Sequence, residues 1–414
     1  MEINEEERLN NNSENLKCIN CNINLEQYYS YCRICKKQFC LNCLISHNCK
    51  EKMKIQNIKL KDEKLDKKNE RNYGIDLLRI YSMFNVIILH VIRKGKVIYS
   101  KKHSIQFYSA WLLETICYNA VNSFGMISGY GMINIKFNGF KIITLWSQVF
   151  FYNFSFIIRD FLYFPKRFKK KNKRSLFFSL CFPAISNNTW YYTCYFCMYF
   201  FIPFMNKLIL VMNKAENNKL CLTILIIFCI LPYITLRKID PFSIKYGYSP
   251  YWLMILYIIG ANLKLYPLQI SKIELIIIYF LSIIIPWIIK LSNLDLFIEY
   301  NSFFIVLNAI CHISFFSKLN IKNNLFIKVI ELISPLSFGV YLIHPWILDK
   351  YYSRRISHLK HENYIKMNLK VIIYSSQILL LCVLIDSSRY LLFKLLKINK
   401  LPITLQKISK NFLK

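Results

Sequence analysis

The sequence is poor in negative charge: its 414 residues include 23 Asp and Glu against 55 Lys and Arg, for a formal net charge of +32. Such an excess can attract nucleic acid. The basic residues, however, lie mostly between apolar segments and towards the two ends, so we expect anionic lipid headgroups as partners and no nucleic acid. The first fifteen residues lack the basic and then apolar pattern of a secretory signal peptide; they are acidic and rich in Asn, which predicts a disordered tail.

Apolar residues are abundant instead. The chain is 55% hydrophobic and 16% aromatic, with a mean hydropathy of +0.28. These values favour a membrane protein over several soluble domains. We therefore expect an all-α integral membrane protein with about ten transmembrane helices, preceded by a small zinc-binding module. The candidate spans are residues 74–92, 107–133, 142–162, 188–211, 219–236, 250–264, 271–290, 302–316, 332–349 and 369–395.

Cysteine is concentrated near the N-terminus, where seven of the fifteen Cys lie between Cys18 and Cys49. Together with His47 they supply eight soft ligands, the number needed for two tetrahedral structural Zn²⁺ sites. Alternating pairs predict a cross-brace with one ion on Cys18, Cys21, Cys40 and Cys43 and the other on Cys32, Cys35, His47 and Cys49. A sequential pairing and a disulfide-stapled module are the alternatives. The segment resembles B-box-type zinc fingers, which implies a protein partner.

These patterns divide the chain into five parts. We expect a disordered acidic tail at 1–15, the zinc-binding module at 16–50, a basic linker at 51–72, the membrane domain at 73–396 and a basic C-terminal tail at 397–414. Because thiolate ligands need a reducing compartment and the basic linker flanks the first span, the N-terminal module is expected in the cytosol. The basic run at 166–174 would then lie outside, against the positive-inside rule.

The first span carries three ionisable residues, Asp76, Arg79 and His90. At about 100° per residue they share a stripe about 60° wide, with His90 about 16 Å along the axis from Arg79. Ionisable groups are costly in a membrane, so they usually face a cavity or a polar partner. We expect Asp76 to pair with Arg79, because it lies about 21 Å from His90. The alternative is a first turn among the headgroups and a packed histidine.

The ninth span carries a second polar stripe. Ser337, Tyr341 and His344 are spaced by four and three residues, which places them on one helix face. Spans one and nine run in the same direction, and His90 and His344 each lie past the middle of their spans. The two histidines are therefore expected at similar depth, facing a shared cavity. Structural histidines that hydrogen-bond to neighbouring helices are the alternative.

The end of the second span is rich in small residues. Gly125, Gly129 and Gly131 permit close backbone approach or local unwinding, although small residues also serve helix packing. Lys136 and Lys141 follow, on the side of the membrane that would hold Arg79. These basic residues suit a phosphate-bearing ligand, with solvated loop lysines as the alternative.

Six segments follow one another in order: GIDLLRIYSMFNVIILH, AVNSFGMISGYGM, KIITLWSQVFFYNF, WYYTCYFCMYFFIPFMNKL, YIIGANLKLY and SFGVYLIHPW. With them the chain resembles the membrane acyltransferase-3 family, the O-acyltransferases of polysaccharides and cell-surface glycans, from residue 72 to about residue 395. The resemblance implies a ten-helix membrane enzyme that transfers an acyl group, usually acetyl from acetyl-CoA, to a sugar hydroxyl. Many members carry Arg-x-Arg after the second helix, where this chain has Lys136 and Lys141. The zinc module is not part of the usual pattern.

The resemblance and the residue types together assign roles. Catalysis is expected of His90, His344, Tyr341 and Ser337, with His90 as general base or transient acyl carrier. Binding of the acyl-CoA donor or of the substrate is expected of Asp76, Arg79, Asn122, Ser128, Gly129, Lys136, Lys141, Trp190 and Tyr195.

Two alternative functions remain at this point. Polar stripes within apolar helices suit a polytopic transporter equally well, but the sequence lacks an evident inverted repeat. The other alternative is a membrane-tethered zinc-finger adaptor with an inactive acyltransferase-like domain. The intact His90, Ser128 and His344 count against that decay.

Overall fold

The structure, a computed structural model, describes residues 29–31, 38–40, 71–169, 172–186, 189–234, 240–292 and 297–412. The chain divides into two units, Met1–Arg71 and Asn72–Lys414. In the first unit, β1 (Tyr29–Tyr31) pairs antiparallel with β2 (Gln38–Cys40). Among the predicted zinc ligands only the backbone of Cys40 is described, so the two predicted Zn²⁺ sites lie outside the described residues.

The second unit is helical. Its α-helices are α1 Tyr73–Lys94, α2 Ile105–Cys117, α3 Ala120–Met132, α4 Lys141–Tyr163, α5 Pro165–Lys169, α6 Lys173–Cys181, α7 Pro183–Ser186, α8 Trp190–Val211, α9 Lys214–Ile224, α10 Pro250–Leu265, α11 Lys272–Leu291, α12 Phe303–Phe316, α13 Asn324–Ile333, α14 Ser337–Ile347, α15 Ser353–Ser357, α16 Tyr364–Leu395 and α17 Leu401–Phe412. Short 3₁₀ and π segments extend several of them; the π segment Leu225–Ile230, for example, continues α9. Helix α17 occupies most of the predicted basic C-terminal tail.

Within the described ranges, seven helical segments are long and apolar enough to cross a membrane. They are Tyr73–Lys94, Lys141–Tyr163, Trp190–Val211, Lys214–Tyr233, Lys272–Leu291, Asn324–His361 and Tyr364–Leu395. Two shorter apolar helices, α10 and α12, occupy the predicted spans 250–264 and 302–316. The architecture is therefore that of a helical integral membrane protein, and the count of ten spans stays a prediction.

The predicted second span, 107–133, is not one helix. It is interrupted at Tyr118 and Asn119, between α2 and α3. The fully buried Asn119 side chain donates to the Ile116 carbonyl at 2.8 Å, and its Oδ1 accepts from the Ser123 hydroxyl at 3.1 Å. Its Oδ1 also lies 2.9 Å from Nδ1 of His312 in α12. A side chain that satisfies these groups stabilises the interruption, because buried polar groups are costly when unpaired.

Helix α1 lies at the centre of the second unit. In its most apolar window 61% of the residues are buried, against 22–44% in the other six long segments, whose remaining surface faces outward. It packs against α2, α3, α12, α13, α14 and α16. Asn72 caps its first turn by accepting from the Ile75 amide at 3.1 Å, and Asp76 suits the positive end of the helix dipole.

Helices α3 and α10 approach each other closely through two glycines. A Cβ on Gly129 would lie 1.9 Å from the Tyr257 carbonyl oxygen, and one on Gly260 would lie 2.0 Å from the Met126 carbonyl oxygen. Side chains at these positions would collide with backbone. Gly129 therefore serves helix packing, the alternative that small residues in apolar helices allow.

Candidate functional site

A cavity of about 570 Å³ extends along one face of α1. Arg79, Met83, Val86, His90 and Arg93 line it, at spacings of four, three, four and three residues. Residues at these spacings lie on one face of a helix. The row from Arg79 to Arg93 spans about 21 Å of the helix axis. The cavity therefore has two ends along α1, one at Arg79 and one at Arg93.

His90 and His344 meet at this cavity. Their ring centroids lie 4.8 Å apart with an interplanar angle of 64°. His90 is exposed to the cavity, whereas His344 is 1% exposed. Nδ1 of His344 lies 3.1 Å from the Val340 carbonyl, which can only accept, so Nδ1 carries the proton of the neutral ring. Its Nε2 is then a buried lone pair, and no described residue hydrogen-bonds to it.

Arg79 forms the opposite end of the cavity. Its guanidinium donates to Asp76 at 2.6 Å and to the Ser334 hydroxyl at 2.9 Å, and Ser334 donates to the same carboxylate at 3.0 Å. The pairing of Asp76 with Arg79 that the sequence predicts is thus present. Asp76 is 7% exposed and does not line the cavity, whereas Arg79 does.

Helix α14 supplies the wall beside the histidines. Ser337 and Tyr341 line the cavity, and the Tyr341 ring lies 6.2 Å from that of His344. The Ser337 hydroxyl is buried and has no hydrogen-bond partner among the described residues. A hydroxyl in that state is available to a ligand. Ser128, Trp190 and Tyr195, three of the residues predicted to bind the donor or the substrate, also line the cavity.

Five residues that we predicted as donor- or substrate-binding do not line this cavity, Asp76 among them. Asn122 is fully buried, and both ends of its amide bond to protein groups. Gly129 packs against the Tyr257 backbone. Lys136 and Lys141 are exposed side chains that do not line the cavity. Asn122 and Gly129 thus contact neighbouring protein groups and do not face the cavity.

A second, smaller cavity of about 370 Å³ adjoins the first. His90 and Arg93 line both cavities, and the second is completed by Lys94, Pro345, Leu348 and Asp349. Lys94 and Asp349 form an ion pair at 2.6 Å across it. His90 therefore lies where the two cavities meet.

Arg93 was missed by the sequence reasoning. It lies one turn beyond His90 and donates through Nε and Nη2 to a single oxygen of Glu114, at 3.0 and 2.7 Å. Glu114 is fully buried. The rule that selected Asp76 and Arg79 would have found Glu114, the one acidic residue in the predicted span 107–133, whereas Arg93 lies one residue beyond the predicted span 74–92.

Four aromatic residues, the aromatic box, line the Arg93 end of the cavity: Tyr118, Trp190, Tyr248 and Tyr300. Ring centroids lie 4.7 Å apart for Tyr118 and Tyr300, 4.7 Å for Trp190 and Tyr248, and 4.9 Å for Tyr248 and Tyr300. The Arg93 guanidinium lies 5.6 Å from the Tyr118 ring centroid. Of the four, only Trp190 was predicted. Tyr248 and Tyr300 lie in connections between helices, where sequence periodicity gives no signal.

A buried ionic cluster of Tyr152, Asp386 and Arg389 packs against α14 at Gly339. Arg389 donates to both carboxylate oxygens of Asp386 at 2.7 Å, and the Tyr152 hydroxyl donates to the same carboxylate at 2.6 Å. A Cβ on Gly339 would lie 2.0 Å from Asp386. The cluster therefore fixes the position of α14 at Gly339. This residue lies two positions after Ser337 and five before His344.

The fold and the cavity define a polytopic membrane protein whose polar site lies inside a helical bundle. The chain belongs to the acyltransferase-3 family: the family model, described as an acyltransferase domain, matches residues 72–386. The protein is thus a membrane acyltransferase. No curated protein and no solved structure matches it. Within the described residues, no three His, Cys, Asp or Glu side chains come together as a metal site.

Proposed function

We propose that this protein transfers an acyl group, acetyl being the expected one, from acyl-CoA to a hydroxyl of a cell-surface carbohydrate. The observation that carries the proposal is the pairing of His90 with His344 where the two cavities meet. Acyl transfer needs a base beside a site that two substrates can reach, and a neutral imidazole is suited to that task.

His90 is the proposed general base, because it is the histidine exposed to both cavities. As the acceptor oxygen attacks the thioester carbonyl, His90 takes the hydroxyl proton. The new C–O bond forms, the C–S bond breaks, and the departing CoA thiolate takes the proton from the imidazolium. The lone pair on Nε2 of His344, 4.8 Å away between centroids, favours a positive charge on His90 while that proton is held.

The carbonyl oxygen gains negative charge during the attack, and Ser337 and Tyr341 are proposed to stabilise it. Both hydroxyl-bearing side chains line the cavity beside His344. The Ser337 hydroxyl has no hydrogen-bond partner among the described residues, so donating to the oxyanion breaks no existing bond. Removing one such donor typically lowers kcat about 100- to 1,000-fold.

The Arg79 end is proposed to receive the donor. If the N-terminus is cytosolic, this end of α1 faces the cytosol, where acyl-CoA is found, and the Arg93 end faces outward. Arg79 is held by Asp76 and Ser334, and its guanidinium can bind a CoA phosphate in fixed geometry. Lys136 and Lys141 then act as exposed charges that attract the donor, outside the cavity itself.

The test replaces His90. We expect His90→Ala to lose at least about 100-fold in acetyl-CoA-dependent transfer, the usual contribution of a general base, while the protein still expresses and binds acetyl-CoA. Mass spectrometry of surface glycans from expressing cells measures the transfer. The matched control is His361→Ala, an exposed histidine outside the cavity. Unchanged turnover in His90→Ala would contradict the role of His90 as general base. An absence of acetylated surface glycans in cells that express the wild type would contradict a carbohydrate acceptor.

A further inference from the structure

The aromatic box presents two ring surfaces to the cavity. Trp190 and Tyr248 are half-buried, whereas Tyr118 and Tyr300 behind them are 3% and 6% exposed. Because each ring packs on another, their orientations are fixed before any ligand arrives. Rigid aromatic surfaces bind flat apolar faces at a low entropic cost. The C–H face of a pyranose is such a surface, and an open-chain polyol lacks it.

Arg93 adds a directed hydrogen-bond donor to this end. Glu114 engages Nε and Nη2, and no described residue hydrogen-bonds to Nη1, which leaves it for a ligand. The carboxylate also neutralises the guanidinium, so the pair brings no net charge. Such a site suits the hydroxyl oxygens of a neutral sugar, which can accept a directed hydrogen bond from a guanidinium N–H.

Two residues outside the aromatic box, Asn122 and Gly247, hold its rings in place. Asn122 donates to the Tyr300 carbonyl at 2.7 Å and accepts from the Trp252 indole at 3.0 Å. Gly247 has φ +97°, and a Cβ there would lie 2.4 Å from Tyr300. Only glycine adopts this conformation without strain, so it lets Tyr248 pack against Tyr300. Asn122 thus acts through Tyr300 as a positioning residue.

We propose that the aromatic box and Arg93 form the acceptor subsite, and that it takes the pyranose ring of a carbohydrate with one hydroxyl directed at His90. The inference rests on the proposed function, because it gives that reaction's acceptor a place. His90 lies one helical turn from Arg93, within reach of a ring seated on Trp190 and Tyr248. The donor end at Arg79 lies at the opposite end of the same face of α1.

The experiment measures sugar binding without turnover. Saturation-transfer-difference NMR on the purified full chain uses the methyl glycosides of glucose, galactose, mannose and N-acetylglucosamine, with sorbitol as the open-chain comparison. We expect at least one glycoside, and not sorbitol, to receive saturation through its ring C–H protons. Trp190→Leu and Tyr248→Leu should weaken that binding about tenfold, the worth of an aromatic contact. Trp190→Phe should retain it.

Tyr251→Leu is the matched control, since Tyr251 is 67% exposed and lies away from the cavity lining. Its glycoside binding should equal that of the wild type. Binding of no glycoside to the wild type, equal binding of sorbitol, or unchanged binding in both leucine variants would overturn the subsite. Failure of the proposed function is read separately, as an absence of His90-dependent acetyl-CoA consumption.

With a glycoside that is acylated, the kinetic constants give a second readout. Trp190→Leu should raise KM for the glycoside about tenfold, with KM for acetyl-CoA unchanged. A merely structural defect would lower kcat for acceptor-independent acetyl-CoA hydrolysis as well. An equal rise in both KM values would contradict a subsite for the acceptor alone.

Discussion

Glu114 holds one carboxylate oxygen against Arg93, and its other oxygen has no hydrogen-bond partner among the described residues. It is fully buried, whereas the Arg93 side chain is 47% exposed. The two members of the pair are therefore unequal. Loss of Arg93 leaves a buried carboxylate without its counter-charge, while loss of the Glu114 charge leaves a guanidinium that still reaches the cavity.

This asymmetry predicts the order of stabilities. Arg93→Ala should lower the free energy of unfolding by about 1–3 kcal/mol, the cost of leaving a buried polar group without its partner. Glu114→Gln should cost less, because the amide oxygen still accepts from Arg93. The double variant Arg93→Ala with Glu114→Gln should recover part of the loss. Thermal unfolding in detergent measures all three.

The control is Arg174→Ala, since Arg174 is exposed on α6. It should change stability by less than about 0.5 kcal/mol. A double variant no more stable than Arg93→Ala alone would contradict the account of a stranded carboxylate.

At the scale of single residues, the sequence predicts those contacts that follow from the spacing of residues along a helix. Asp76 with Arg79, and His90 with His344, follow from spacing along two helices and from the cost of ionisable groups in lipid. Tyr248 and Tyr300 could not be found in this way. They come together through the folding of two connections, and no local pattern records a contact between residues 52 positions apart.

At the scale of elements, the position of α14 depends on the space above Gly339. The Asp386 carboxylate is held by Tyr152 and Arg389 and cannot move aside cheaply. Gly339→Ala would place a Cβ 2.0 Å from it. We expect a loss of about 1–3 kcal/mol in stability, as for other overpacked sites, and a fall in kcat, because Ser337 and His344 move with the helix.

The matched variant is Gly139→Ala, where the nearest atom would be Phe137 Cε1 at 3.6 Å, an ordinary contact. Its melting temperature and turnover should equal those of the wild type. If Gly339→Ala keeps both as well, the cluster does not position α14.

The interruption between α2 and α3 shows where the sequence fell short at this scale. The window 107–133 reads as one continuous apolar helix, and residues Tyr118 and Asn119 contain neither Gly nor Pro. The interruption is stabilised by His312 in α12, 193 positions along the chain. Because α2 ends there, Tyr118 enters the aromatic box and Glu114 meets Arg93. The site thus depends on a break that only tertiary contacts reveal.

At the scale of the whole molecule, the family match and every described residue that lines the two cavities lie at or beyond residue 72. Deletion of residues 1–70 is therefore expected to leave transferase activity within about twofold of the full chain in a detergent assay. Activity per folded protein, normalised by size-exclusion recovery, is the measurement. A complete loss in a well-folded deletion variant would give the N-terminal segment a part in catalysis.

The N-terminal segment is proposed to bind two Zn²⁺ through its seven Cys and His47. Elemental analysis of the full chain should find about two zinc ions per chain, as eight ligands in tetrahedral sites require. The double variant Cys18→Ala with Cys40→Ala distinguishes the pairings, because both residues bind one ion in a cross-brace and different ions in a sequential arrangement. One zinc ion should remain in the first case and none in the second.

Cys181→Ala, outside the segment, should keep the full zinc content. A wild-type chain that contains disulfides and no zinc would establish the disulfide-stapled alternative instead.

The meeting of two cavities at His90 has an electrical consequence. If water enters the two cavities from opposite faces, the insulating part of the membrane is only as thick as the side chains between them, and most of the transmembrane voltage falls across that short distance. One elementary charge that crosses 100 mV gains or loses about 2.3 kcal/mol. The proton that His90 is proposed to accept would move within this field, so reversing the polarity of an energised vesicle should change the rate of acyl transfer.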